Sequence, residues 1–245
     1  VDIRWLTAFL DNGPDVHQES VGFWQQATGY GLSSPRGDAG EFASLEPPVG
    51  DAYLKVQRRG HGESRVHLDL HVADPGTAAD AAVVAGATRV LDSEHGYVVM
   101  ASPTGLVFCF VDHPAAVRPE ATERPDGSLA RVRQVAIDVP PASYGVEWDF
   151  WRAVTGWQER PSTITEDFRF LLAPEGQPLG LLLQRLGPDD DGEIRAHLDW
   201  GTTDRAAETE RHLALGARVL AQHSHWTVLE DPTGRAYCLT DGDPR

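Results

Sequence analysis

Around residue 67 the chain reads Arg65-Val66-His67-Leu68-Asp69-Leu70-His71-Val72. In an extended strand alternate side chains share a face, so His67, Asp69 and His71 project together while Leu68, Leu70 and Val72 form the apolar side. Neighbours on one strand face lie about 6–7 Å apart. Imidazole and carboxylate groups so placed can hold one another by hydrogen bonding or share a divalent metal. The phrase returns as Arg195-Ala196-His197-Leu198-Asp199, with Gly201 in the third place. The two cysteines, Cys109 and Cys238, each follow the glycine of a Pro-Thr-Gly turn by four residues. Two cysteines cannot build a disulfide framework or a zinc ribbon, and small buried thiols are the commoner case. No glycine-rich phosphate loop, nucleophile elbow or His-Glu-x-x-His helix is present.

The elements that must position these residues come twice. Phe23-Trp24 and Thr28-Gly29-Tyr30 recur as Phe150-Trp151 and Thr155-Gly156-Trp157; Gly86-Ala87 and Arg89-Val90-Leu91 recur as Gly216-Ala217 and Arg218-Val219-Leu220. Several clusters in one order, at offsets of 127–130 residues, mark an internal repeat. The expected domains are residues 1–112 and 131–242, joined by a Pro-, Ala- and charge-rich linker over 113–130. Each repeat divides again. Strands are expected near residues 5–11, 42–45, 53–58, 66–72, 90–91, 97–101 and 107–111, with helices over 15–27 and 77–85. The second repeat follows suit, with helices over 144–154 and 205–215. That is a β-α-β-β-β module written four times. Phe23, Trp24, Phe150 and Trp151 are expected to be core residues.

The module order, the Phe-Trp…Thr-Gly-aromatic helix end, the Arg-x-His-Leu-Asp strand and the Pro-Thr-Gly-x-x-x-Cys hairpin resemble the vicinal oxygen chelate superfamily. The resemblance is closest to the glyoxalase-like domains of glyoxalase, bleomycin-resistance and extradiol dioxygenase proteins, and it covers nearly the whole chain. It implies an α+β fold: two tandem glyoxalase-like domains whose four modules form curled, cup-like sheets around a small-molecule site. The superfamily's metal takes one ligand from each of four strands. Those positions fall here on Thr7, Gln57, His67 and Cys109, and on Gln134, Gln184, His197 and Cys238. None carries a carboxylate, so the resemblance with this departure implies no standard metal centre and no cofactor. A divalent metal, if held at all, would use Gln134, Gln184 and His197. The cup's remaining character comes from Trp5, Phe9 and Asp11, and from Asp138 in the second repeat.

With 245 residues, 41 % hydrophobic and 24 % charged, the composition is that of a globular protein able to bury a core. Basic residues number 21 against 37 acidic, a net charge of −16 that argues against nucleic acid and anionic membranes as partners. No apolar run approaches the roughly 20 residues of a membrane span, and no signal segment opens the chain, so a cytoplasmic monomer or homodimer is expected. Asp11 and Asp138 on cavity faces, with Trp5 and Phe9 beside them, would favour a cationic aromatic ligand. The reading is a small-molecule-binding protein like the bleomycin-resistance members. The alternative is a metal-dependent lyase, isomerase or dioxygenase.

Overall fold

The computed structural model describes residues 1–190 and 192–245. It is an α+β protein. The first sheet contains β1 (Trp5–Asn12), β2 (Gly31–Leu32), β3 (Phe42–Glu46), β4 (Leu54–Arg58), β5 (Arg65–His71), β6 (Thr88–Asp92), β7 (Val98–Ala101) and β8 (Val107–Val111), in the order β2-β3-β4-β1-β5-β8-β7-β6. The second sheet is built from β10 (Leu129–Val139), β11 (Gln158–Pro161), β12 (Phe168–Leu172), β13 (Gly180–Arg185), β14 (Arg195–Thr202), β15 (Arg218–Gln222), β16 (Trp226–Glu230) and β17 (Ala236–Thr240), in the matching order β11-β12-β13-β10-β14-β17-β16-β15. The repeat seen in the sequence is thus a repeat of topology. A short extra strand, β9 (Thr122–Glu123), pairs with the start of β10, so the 113–130 segment carries a strand of its own.

Four helices complete the modules: α1 (His17–Thr28), α2 (Pro75–Val84), α3 (Tyr144–Thr155) and α4 (Arg205–Ala214). Local chemistry sets their ends. Asp74 and Asp204 cap α2 and α4 by accepting hydrogen bonds from the Thr77 and Ala207 amides, each at 3.0 Å. Gly29 and Gly156 stop α1 and α3 at φ +76° and +63°, a conformation that side chains with a Cβ resist. Among the described residues no helix is long and apolar enough to cross a membrane.

Contacts gather the chain into two compact units. One comprises Val1–Ala8, Val66–Ala116 and Val135–Ala196. Within it Phe150 and Trp151 of α3 are buried against Phe108 of β8, with ring centroids 5.9 and 5.3 Å away. Glu147, fully buried on the same helix, accepts hydrogen bonds from Ser102 Oγ (2.8 Å), the Thr104 amide and hydroxyl (both 2.7 Å) and Trp151 Nε1 (2.9 Å).

The other unit comprises Phe9–Arg65, Val117–Gln134 and His197–Arg245. Here Trp24 of α1 stacks on Trp200 and donates its indole N–H to Asp231 Oδ2 at 2.9 Å. Asp231 also accepts from the Thr233 amide and hydroxyl. The carboxylate has changed places: Glu147 stands on the helix opposite Ser102 in one unit, whereas Asp231 stands on the turn in the other, where the helix carries Ser20. Deeper in this unit Glu208 of α4 accepts from Arg124 (2.7 and 3.2 Å), Arg211 (2.7 and 3.1 Å) and His212 Nε2 (3.1 Å). Burial alone would raise the Glu208 pKa, but these donors hold it well below the usual carboxylate range. Burial also pushes the His212 pKa down, against the pull of Glu208. Arg124 lies in the 113–130 segment, which therefore contributes to the core of this unit.

Candidate functional site

On β5 the expected alternation holds. Leu68 and Leu70 are buried on one side, and His67, Asp69 and His71 are buried on the other. β5 runs parallel to β8 with Asp69 opposite Cys109. The His67, Asp69 and Cys109 donor atoms consequently lie within 4.8 Å of one another, and His67 Nε2 is 3.7 Å from Asp69 Oδ1. The second repeat builds the same constellation from β14 and β17, with Asp199 opposite Cys238. His197 Nε2 lies 3.3 Å from Asp199 Oδ1 and 3.6 Å from Cys238 Sγ. Gln134 of β10 donates its amide to Asp199 Oδ2 at 2.7 Å, which fixes the carboxylate and turns Oδ1 toward His197.

The remaining expected residues divide. His71 does not join His67 and Asp69. Its Nδ1 lies 2.7 Å from the His113 carbonyl oxygen and its Nε2 lies 2.9 Å from Thr7 Oγ1. A carbonyl only accepts, so Nδ1 carries a proton; in the neutral tautomer Nε2 then accepts the Thr7 hydroxyl proton. Thr7 is thereby committed to a side chain. Gln57 and Gln184, half-buried on β4 and β13, stand opposite Phe42 and Phe168 in their ladders. Trp5 is buried on β1. Exposed loops carry His95, His223 and His225, and the His223 ring stacks on Trp226.

The two aspartates expected to attract a cation already have arginine partners. Asp11 Oδ2 accepts from Arg65 Nε at 2.9 Å, and Asp138 Oδ2 lies 3.6 Å from Arg195 Nε. Arg235 donates to the Asp11 backbone oxygen (2.8 Å) and to Asn12 Oδ1 (2.7 Å), pinning the end of β1. Lys55 Nζ sits 5.2 Å from the Phe9 ring centroid. Both aspartates thus share their charge with an arginine that is itself about half exposed. Sequence reasoning missed Arg65 and Arg195; each lies two residues before its histidine on the same strand face, which could have placed them beside the site.

A family model for the glyoxalase-like domain matches residues 8–111 and again residues 134–240. The chain belongs to the glyoxalase-like domain family. Among solved structures this glyoxalase-like protein is similar to a mutant 4-hydroxymandelate synthase from Streptomyces coelicolor, at 16 % identity and a TM-score of 0.64 over 99 % of this chain and 93 % of that one. It is also similar to 2,2',3-trihydroxybiphenyl 1,2-dioxygenase from Sphingomonas wittichii, at 18 % identity and 0.62 over 98 % and 91 %. A third likeness is to the Mn(II)-bound glyoxalase from Novosphingobium aromaticivorans, at 15 % identity and 0.61 over 97 % and 81 %. At such identities the likeness is one of fold. No curated protein sequence matches. The superfamily's four ligand positions do not fit a hard, oxygen-preferring metal in this glyoxalase-like chain. They offer a neutral hydroxyl or amide oxygen at Thr7 and Gln134, neutral amides at Gln57 and Gln184, and a thiol at the last place, with no carboxylate among them.

Proposed function

We propose that this glyoxalase-like protein binds a small organic molecule at the polar strand face of each repeat, without the hard-metal centre of its dioxygenase relatives. The observation that carries this reading is the pair of His-Asp-Cys constellations, the first buried and the second buried but for a partly exposed His197, held in the same parallel register on β5/β8 and β14/β17. Buried polar side chains cost about 1–3 kcal/mol each when unsatisfied. Holding three polar groups together on one face in both repeats avoids that cost through their mutual contacts, and a few fixed polar groups are what orients a ligand in a small-molecule site. On this reading the chain would act as the small-molecule-binding members of the family do. The ligand is not restricted to cations, because the carboxylates of Asp11 and Asp138 are compensated.

The test is a thermal-shift and calorimetric screen of the protein, kept in chelator, against matched cationic, neutral and anionic aromatic compounds. Saturable binding that weakens at least tenfold in His67→Ala or His197→Ala supports the reading. Absence of binding across the screen, or binding indifferent to both changes, overturns it. A metal-dependent lyase, isomerase or dioxygenase is the second reading. It is favoured by the convergence of nitrogen, oxygen and sulfur donors in each constellation.

A further inference from the structure

The chemistry of each constellation depends on what its histidine nitrogen faces. His197 Nε2 points at two partners at once, Asp199 Oδ1 at 3.3 Å and Cys238 Sγ at 3.6 Å. An imidazole nitrogen has one in-plane direction, holding either a proton or a lone pair, so it makes one good hydrogen bond there. A catalytic Cys-His-Asp relay would place the carboxylate and the thiol on different ring nitrogens. Here both sit on the same one.

Convergence of three donors on one point is instead the geometry of chelation. In a tetrahedral zinc site with ordinary bond lengths, a nitrogen and an oxygen ligand stand about 3.3–3.4 Å apart, and a nitrogen and a sulfur about 3.6 Å apart. The His197 distances match both. In the first repeat the His67–Asp69 separation is 3.7 Å, slightly longer than that edge, with Cys109 within the same 4.8 Å cluster.

We propose that His67, Asp69 and Cys109, and His197, Asp199 and Cys238, are two soft divalent-metal sites of the zinc class. Each site holds the ion through one imidazole nitrogen, one carboxylate oxygen and one thiolate. The set differs from the superfamily's four-strand pattern, because the carboxylate comes from the strand that already supplies the histidine. Charge supports it: carboxylate and thiolate together cancel a divalent cation, which makes the burial of the aspartate and cysteine in each site tolerable. The thiolate selects against magnesium and calcium, and three protein donors leave a fourth tetrahedral position for an outside ligand. Binding releases the thiol proton, so affinity rises with pH. Gln134 acts as a positioning residue for the second site by fixing Asp199. Duplication adds an independent observation. Thr7 and His71 are replaced by Gln134 and Gly201 in the second repeat, while the three donors and their register stay the same.

The proposal stands on donor geometry and is independent of whether an organic ligand binds. Its test uses the full chain, purified reduced, without a polyhistidine tag and without chelator. Metal content is measured by elemental mass spectrometry and competition dialysis against zinc, and the cobalt-loaded protein is read by absorption. Two ions per chain are expected, with a thiolate-to-cobalt charge-transfer band and the intense visible bands of tetrahedral cobalt. Cys109→Ser and Cys238→Ser should each remove one ion and half the charge-transfer band. Gln134→Leu should weaken the second site about tenfold or more without removing the band. Circular dichroism confirms that each variant is folded. One ion, lost only in Cys238→Ser, supports the second site and overturns the first. Folded wild-type protein that holds no zinc at micromolar free metal, or cobalt bound without a thiolate band, overturns both.

Discussion

Replacing Glu208 by glutamine keeps the side-chain volume and removes one charge from the centre of five hydrogen bonds. Arg124 and Arg211 each give Glu208 two of them, and His212 gives the fifth. With the carboxylate gone, two guanidinium groups face a neutral amide whose NH2 competes with them as a donor. Arg124 is almost fully buried and cannot turn to water. Removing one partner of a buried ion pair costs about 3–5 kcal/mol. Arg124→Gln should cost less, about 1–3 kcal/mol, because Glu208 keeps Arg211 and His212, and Arg211 still caps the Ala27 carbonyl at 2.6 Å. Equilibrium urea unfolding followed by tryptophan fluorescence measures both, since Trp200 lies edge-on to the His212 ring at 5.1 Å. With a urea dependence of roughly 2 kcal/mol per M, Glu208→Gln should lower the midpoint by about 2 M. A loss below about 1 kcal/mol, or a larger loss for Arg124→Gln than for Glu208→Gln, would refute the ranking.

Acid should act on the same network in one direction. The folded His212 pKa lies below its ordinary 6.5, so the unfolded chain takes up that proton first and stability falls as pH drops through 6.5. The contribution of Glu208 is complete above its ordinary 4.5 and is lost as pH falls toward its depressed folded value. Thermal melts across the range from neutral to mildly acidic pH should slope downward, and His212→Gln should flatten the portion around pH 6; an unchanged slope counts against this account. Gly201→Ala should destabilise by about 1–3 kcal/mol, because a Cβ there would meet Arg133 Cδ and the Gly242 carbonyl oxygen, each at 2.5 Å; chemical denaturation reads the loss. Asp11→Asn should strip Arg65 of its carboxylate and lower the melting temperature, more than Arg65→Gln does, because Asp11 is buried and Arg65 is half-exposed.

The repeat, the four modules and the aromatic core were legible because they depend on short-range pattern. Gly29 and Gly156 end helices, Leu68 and Leu70 alternate with His67 and Asp69, and Phe-Trp pairs recur at one offset. The short strands β2, β9 and β11 were not, since runs of two to four residues with little or no burial take their structure from the neighbouring strand. The histidines and aspartates of the candidate site were named from alternation alone. The superfamily resemblance sets His67 with Cys109 and His197 with Cys238, but that Asp69 and Asp199 stand opposite those cysteines depends on the register of two parallel strands some 40 positions apart, which no local signal fixes. The pairing of His71 with Thr7, and of Lys55 with Phe9, is equally non-local.

The exchanged carboxylate acts as a pairing code. The Trp24 helix meets an acidic turn at Asp231, and the acidic Glu147 helix meets a hydroxyl turn at Ser102. Were two copies of the first repeat to associate as the two repeats do, Ser20 and Trp24 would face Ser102, and the indole would find no acid. Two copies of the second would set Glu147 against Asp231, two buried negative charges in one socket. Each repeat is therefore a poor partner for itself and a good one for its sibling. Covalent fusion then does more than raise local concentration: it joins two halves whose contact residues are complementary rather than identical.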